Sequence, residues 1–103
     1  MKFIDVHAHL QFPQFDADRE IVIQRTRAAG IGVINVGTDL ETSRLAVGLA
    51  NEHDALWATV GIHPADLPEE WQWSETFSEL EKLARQSKVV GIGECGLEAK
   101  GGK

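Results

Sequence analysis

Two histidines stand two positions apart in the stretch Phe3-Ile4-Asp5-Val6-His7-Ala8-His9-Leu10. A strand sends residues i, i+2 and i+4 to one side, so an extended segment here puts Asp5, His7 and His9 on one face and Ile4, Val6 and Ala8 on the other. Imidazoles two positions apart on a strand, roughly 6–7 Å, can converge on one divalent ion. Zinc, nickel, manganese and iron all accept neutral imidazole. The competing reading is a pair of histidines satisfied by backbone groups at a strand end. Asp5 either orients one of the rings or bonds neighbouring backbone.

Two other places carry chemistry. Glu94 follows the apolar run Val89-Val90-Gly91-Ile92 in "GIGECGL". A carboxylate there is costly unless it is paired or metal-bound, so it is either a salt-bridge partner of an arginine or a ligand shared between two ions. His63, in "VGIHP", ends another apolar run, and Pro64 fixes the start of the loop after it. A substrate contact is the reading its location favours. His53 falls at the end of a helical pattern, at the opposite end of the sheet, where it interacts with the helix terminus. Cys95 reads as a packing residue, because Glu94 beside it disfavours a thiolate. Asp39 reads as a helix cap. Trp57, Trp71 and Trp73 read as packing, with base stacking by Trp71 and Trp73 as the alternative.

The elements that hold these residues follow from the apolar pattern. Four short runs rich in β-branched residues, Phe3–His7, Gly32–Gly37, Leu56–Gly61 and Val89–Glu94, read as strands buried on both faces. Helical patterns lie between them. Asp16–Ala29 has Asp16 and Asp18 as candidate caps and Gly30 just past its end. Leu40–Glu52 carries Leu45, Leu49, Ala46 and Ala50 as its apolar stripe. Ser74–Gln86 begins with a serine cap and carries Phe77, Leu80, Leu83 and Ala84. The order β-α-β-α-β-α-β implies a parallel sheet in sequential order, with His7, His9, His63 and Glu94 at the carboxyl ends of its strands, where such folds carry their sites.

Composition narrows the class. The chain has 103 residues, 43% of them apolar, and a net charge of −6, which is one small domain without the basic footprint of most nucleic-acid binders. A phosphodiester substrate would need a metal ion to neutralise it. A single cysteine fits a reducing cytosol, so a cytoplasmic location is expected. No apolar stretch is long enough to span a membrane.

In this order, "FIDVHAHL", "VGIHP" and "VVGIGECGL" resemble the TatD-like family of metal-dependent deoxyribonucleases, within the amidohydrolase superfamily. The likeness runs from Met1 to about Leu97. It implies an α/β fold, half of a (β/α)8 TIM-type barrel with four strands and three helices over residues 1–97. The tail at 98–103 has no apolar anchor and is expected to be disordered. It implies hydrolysis of DNA phosphodiesters with two divalent ions (magnesium, manganese or zinc). His7 and His9 would hold the first ion, Glu94 would bridge the two and act in catalysis, and His63 would lie beside the substrate phosphate. The family pattern continues after "GECGL" with an aspartate and aromatic residues, whereas here Glu98-Ala99-Lys100-Gly101-Gly102-Lys103 follows. A (β/α)8 barrel takes about 250 residues, and the family draws two more histidines and an aspartate from later strands. A truncated nuclease holding at most one ion and inactive alone is therefore expected. A non-catalytic half-barrel is one alternative. Another is an assembly module that pairs with a second half, including a homodimer through open sheet edges.

Overall fold

The computed structural model describes residues 3–93. Four strands, β1 (Phe3–Ala8), β2 (Ile31–Val36), β3 (Leu56–Val60) and β4 (Val89–Ile92), form one sheet in the order β1-β2-β3-β4. All three pairings are parallel. Helices α1 (Arg19–Ala28), α2 (Leu40–Glu52) and α3 (Trp73–Ala84) make the crossovers. The parallel sheet is that expected from the alternating sequence pattern, and the arrangement fits the half-barrel that the family resemblance implies. Glu94, Cys95 and the tail at 98–103 lie outside the described residues.

The core forms where helices meet the two central strands. Ala46, Val47 and Ala50 of α2 pack on Ala58 and Val60 of β3, with Leu80, Leu83 and Ala84 of α3 closing one side. Ile23 of α1 packs on Val33, Leu56 and Leu10. Burial of both faces holds for β2 and β3 only. Along β1, Phe3 is 71% and Val6 67% exposed, and on β4 Ile92 is 62% exposed. These are the outer strands of the four, so each has one edge unpaired among the described residues.

Local sequence explains most element boundaries. Asp39 and Thr42 form a reciprocal cap at the start of α2: the Thr42 N–H donates to Asp39 Oδ1 at 2.8 Å, and the Asp39 N–H donates to Thr42 Oγ1 at 3.0 Å. Gly30 takes a φ of 77° just past α1, a left-handed turn that any other residue would strain. Helix α1 begins at Arg19 rather than Asp16 because Pro13–Phe15 forms a separate 3-10 turn. Neither aspartate caps it: Asp16 instead pairs with Arg19 at 2.6 Å, and Asp18 makes no side-chain cap bond. Ser74 is likewise no cap, since α3 already begins at Trp73, after a 3-10 turn at Glu70–Gln72. Glu79 on α3 holds its carboxyl below the usual glutamate range through its bond to Lys82 and a second bond to Arg44 of α2.

The face that α2 buries differs from the stripe read in sequence. Ser43, Ala46, Val47 and Ala50 are buried, while Leu45 is 47% exposed. Small side chains let the helix lie close to the sheet. A Cβ added to Gly37 would stand 2.2 Å from Ser43 Oγ, and the Gly61 N–H donates to that same Oγ at 3.2 Å. Gly48, in contrast, faces open space, with nothing within 4 Å of an added Cβ. Gly48→Ala is therefore expected to stabilise the fold by about 0.5–1 kcal/mol through helix propensity, raising the Tm by roughly 2–8 °C. A Tm below that of the wild type in a thermal melt would contradict the open environment assigned to this position.

Candidate metal centre

The end of β1 departs from simple alternation. Asp5 lies opposite Val33 and Ala8 opposite Asn35, so three residues of β1 span two of β2. An extra residue of this kind reverses the alternation beyond it. Asp5 consequently sits on the side of Val33 and Ala8, which pack toward α1, and does not share a face with the histidines as strict alternation would require. Its Oδ1 accepts from the His7 N–H at 3.1 Å, so it serves the backbone at the irregular position.

His9 is held on three sides. Its Nδ1 lies 2.8 Å from the Val36 carbonyl. Its ring stacks on Phe12, with centroids 4.4 Å apart and planes 23° from parallel. The His7 ring meets it edge-on at 5.0 Å and 88°. Because a carbonyl only accepts, the proton belongs on Nδ1, and the lone pair lies on Nε2.

The segment after His9 is strapped to the carboxyl end of β2. The Leu10 N–H donates to the buried Asn35 Oδ1 at 2.9 Å, and Gln11 Nε2 donates to the Val36 carbonyl at 2.9 Å. Arg19 donates to the carbonyls of Leu10 and Phe12 at 2.6 and 2.9 Å.

These donors suit a divalent ion. Two imidazoles ligating one ion through nitrogens at about 2.1 Å stand with their ring centroids roughly 5 Å apart, which matches the His7–His9 spacing. A ligating histidine ordinarily donates its other N–H to a carbonyl or carboxylate, as His9 does. Among the described residues no cluster of three or more His, Cys, Asp or Glu side chains is assembled. Two histidines are thus brought together, and the third expected ligand, Glu94, lies just past the described residues. The immediately preceding Gly93 is fixed: its N–H donates to the Val60 carbonyl at 3.1 Å.

His63 lies at the same end of the sheet. Its N–H donates to the Thr38 carbonyl, just past β2, at 2.7 Å. His53, in contrast, ends α2 at the opposite end and places Nε2 3.5 Å from Glu20. The tryptophans divide. Trp57 carries Lys88 Nζ 4.8 Å from its ring centroid. Trp73 donates through Nε1 to the Pro68 carbonyl at 2.9 Å and lies against Phe77. Trp71 is 81% exposed, so the packing reading fails for it: its 3-10 turn holds it outside the groove that Leu67, Trp73 and Phe77 line. Phe12 and the Val36 carbonyl were not singled out from sequence. A stacking partner three positions on, next to a proline, was the available signal.

Comparison with known proteins identifies the family. The family model described as TatD related DNase matches residues 4–101. A protein of Citrobacter koseri named 3'-5' ssDNA/RNA exonuclease TatD is 44% identical over 95 residues, covering 91% of this chain and 36% of that protein. Its namesake from Enterobacter lignolyticus is 41% identical over 96 residues, with the same coverage. The crystal structure of YJJV, a TatD homolog from Escherichia coli K12, superposes with a TM-score of 0.77 at 32% identity, covering 96% of this chain and 39% of that one. The chain thus spans a little over a third of the length of the relatives it matches. No helix among the described residues is long and apolar enough to cross a membrane.

Proposed function

The chain belongs to the TatD related DNase family, and on that premise we propose that it is a metal-binding part of a nuclease that hydrolyses phosphodiesters of single-stranded DNA. The observation that carries this reading is the His7–His9 pair, with its 5.0 Å ring separation and the Nδ1 of His9 engaged by a backbone carbonyl. His7 and His9 would hold a divalent ion (magnesium, manganese or zinc), Glu94 would complete or bridge the site, and His63 would contact the substrate phosphate. Such an ion supplies Lewis-acid stabilisation of phosphoryl charge and a lowered pKa for water. The net charge of −6 is compatible, since the cation offsets the negative surface. The names of the relatives include RNA, so RNA belongs in the assay beside DNA. The reading includes a cytoplasmic setting and no membrane partner.

The test couples binding to cleavage. Calorimetric titration with zinc or manganese is expected to give about one ion per chain. His7→Ala and His9→Ala are each expected to weaken it at least tenfold with the circular dichroism spectrum preserved. End-labelled single-stranded DNA and RNA then report turnover and its dependence on the ion. Unchanged affinity in both variants would assign the pair to structure, and degradation insensitive to chelator would remove the metal from the reaction.

A second reading rests on the exposed outer strands, where Phe3, Val6, Val90 and Ile92 are each more than half exposed. Unpaired strand edges with apolar side chains favour pairing with further strands. In this reading two copies, or this chain and a separate second half, join edge to edge. Light scattering in the titration buffer separates it from the first: a dimer supports pairing between copies, and a monomer removes it.

A further inference from the structure

We propose that Phe12 is a positioning residue, whose flat face locks the His9 imidazole in the one orientation that leaves Nε2 available to a cation. The inference rests on the reading of His9 as a ligand for its consequence, though not for the ring geometry itself. The chain turns back directly after β1: the Phe12 N–H donates to the His9 carbonyl at 3.0 Å. That turn lays the phenyl ring against the imidazole, centroids 4.4 Å apart and planes within 23°. Pro13 fixes the backbone immediately after it, and Arg19 Nη2 donates to the Phe12 carbonyl at 2.9 Å, so the phenyl group is itself anchored.

The lock follows from torsional physics. The χ2 torsion of histidine is broad and roughly two-fold, so a ring without neighbours turns freely by 180°, which puts Cδ2 where Nδ1 stood and Cε1 where Nε2 stood. Only one orientation places Nδ1 2.8 Å from the Val36 carbonyl. The competing demand on that carbonyl is real, because Gln11 Nε2 also donates to it, at 2.9 Å. A ring rotated out of plane would drive its edge into the phenyl face on one side. On the other side it would meet His7, whose ring stands edge-on at 5.0 Å. Phe12 therefore acts through His9, keeping the proton on Nδ1 and the lone pair on Nε2.

The experiment reads the tautomer directly. Long-range proton–nitrogen correlation spectra of ¹⁵N-histidine-labelled chain are recorded at a pH where His9 is neutral, without metal. In the wild type, protonation at Nδ1 is expected to dominate. In Phe12→Leu and Phe12→Ala the Nε2-protonated form of His9 is expected to grow to a comparable population. Binding of zinc alone, followed by calorimetry, is expected to weaken about tenfold in both, in line with the 10–100-fold typical when the support of a ligating histidine is lost. Phe12→Tyr keeps the flat face and is expected to restore both readouts. Phe12→Leu preserves bulk and guards against a variant that fails to fold. A wild-type tautomer in Phe12→Leu, or a tyrosine variant that behaves like leucine, would overturn the proposal. The outcomes separate it from the nuclease reading: a shifted tautomer in a chain that cleaves nothing upholds the role of Phe12 and defeats only the activity.

Discussion

Supplied alone, the 103-residue chain is expected to degrade single-stranded DNA at least a hundredfold more slowly than when co-folded with the C-terminal two-thirds of a full-length relative. The argument is one of ligand count. Two-metal phosphodiester hydrolysis requires two ions about 3.5–4 Å apart, each keeping an open position. The sequence contains four histidines and one cysteine. Of the histidines, His53 sits at the far end of the sheet against Glu20, and the backbone of His63 is tied to Thr38. In the proposed site His7 and His9 would serve one ion, with Glu94 as the expected bridge. Loss of a single preorganised charge-stabilising group commonly costs 10²–10³ in rate, so a lone ion leaves weak activity at most. Co-expression with the complementary segment of the Citrobacter koseri relative, followed by a metal-dependent exonuclease assay, measures the gain. His9→Ala in the reconstituted pair is expected to abolish that gain. Equal turnover with and without the added segment would show that the chain assembles a full site by itself.

Gly61→Ala is expected to lower the Tm by roughly 4–24 °C, the largest stability effect among the glycine positions described. A Cβ at this position would stand 1.8 Å from the Gly93 carbonyl oxygen and 3.0 Å from its carbon. Both are backbone atoms of the neighbouring chain segment and cannot rotate away. Overpacking of this kind costs about 1–3 kcal/mol. The cost falls at the carboxyl end of β3 and β4, where the Gly93 N–H donates to Val60, immediately before Glu94. A thermal melt followed by circular dichroism checks it, and an unchanged Tm would mean that the two segments can separate without penalty. The contrast with Gly48→Ala, expected to stabilise, tests the same geometric reasoning with the opposite sign.

Much of this fold was legible because the apolar runs and their punctuation agree. Gly30 past α1 and Asp39 before α2 stand where helix-terminus chemistry requires them, and four β-branched runs became four parallel strands in sequence order. The misreadings have separate physical origins. The extra residue in β1 leaves no mark in an apolar-polar pattern, yet it moves Asp5 to the other side of the strand. Leu45 reads as part of the buried stripe of α2, but Gly37 admits Ser43 at close range, Ala46 and Ala50 pack on Ala58 and Val60, and Leu45 is left exposed. At the candidate site, the histidine pair was visible as residue types. Its support was not, because the Val36 carbonyl is a main-chain group 27 positions away with no sequence signature.

The partners that orient His9 and the residues beside it lie early in the chain: Phe12, Arg19, Asn35, Val36 and Thr42. During synthesis these groups have all left the ribosome roughly fifty residues before Glu94 does, a lead of about 3–10 s at elongation rates of about 5–20 residues per second. The residues that hold His9 are thus all available before Glu94 emerges.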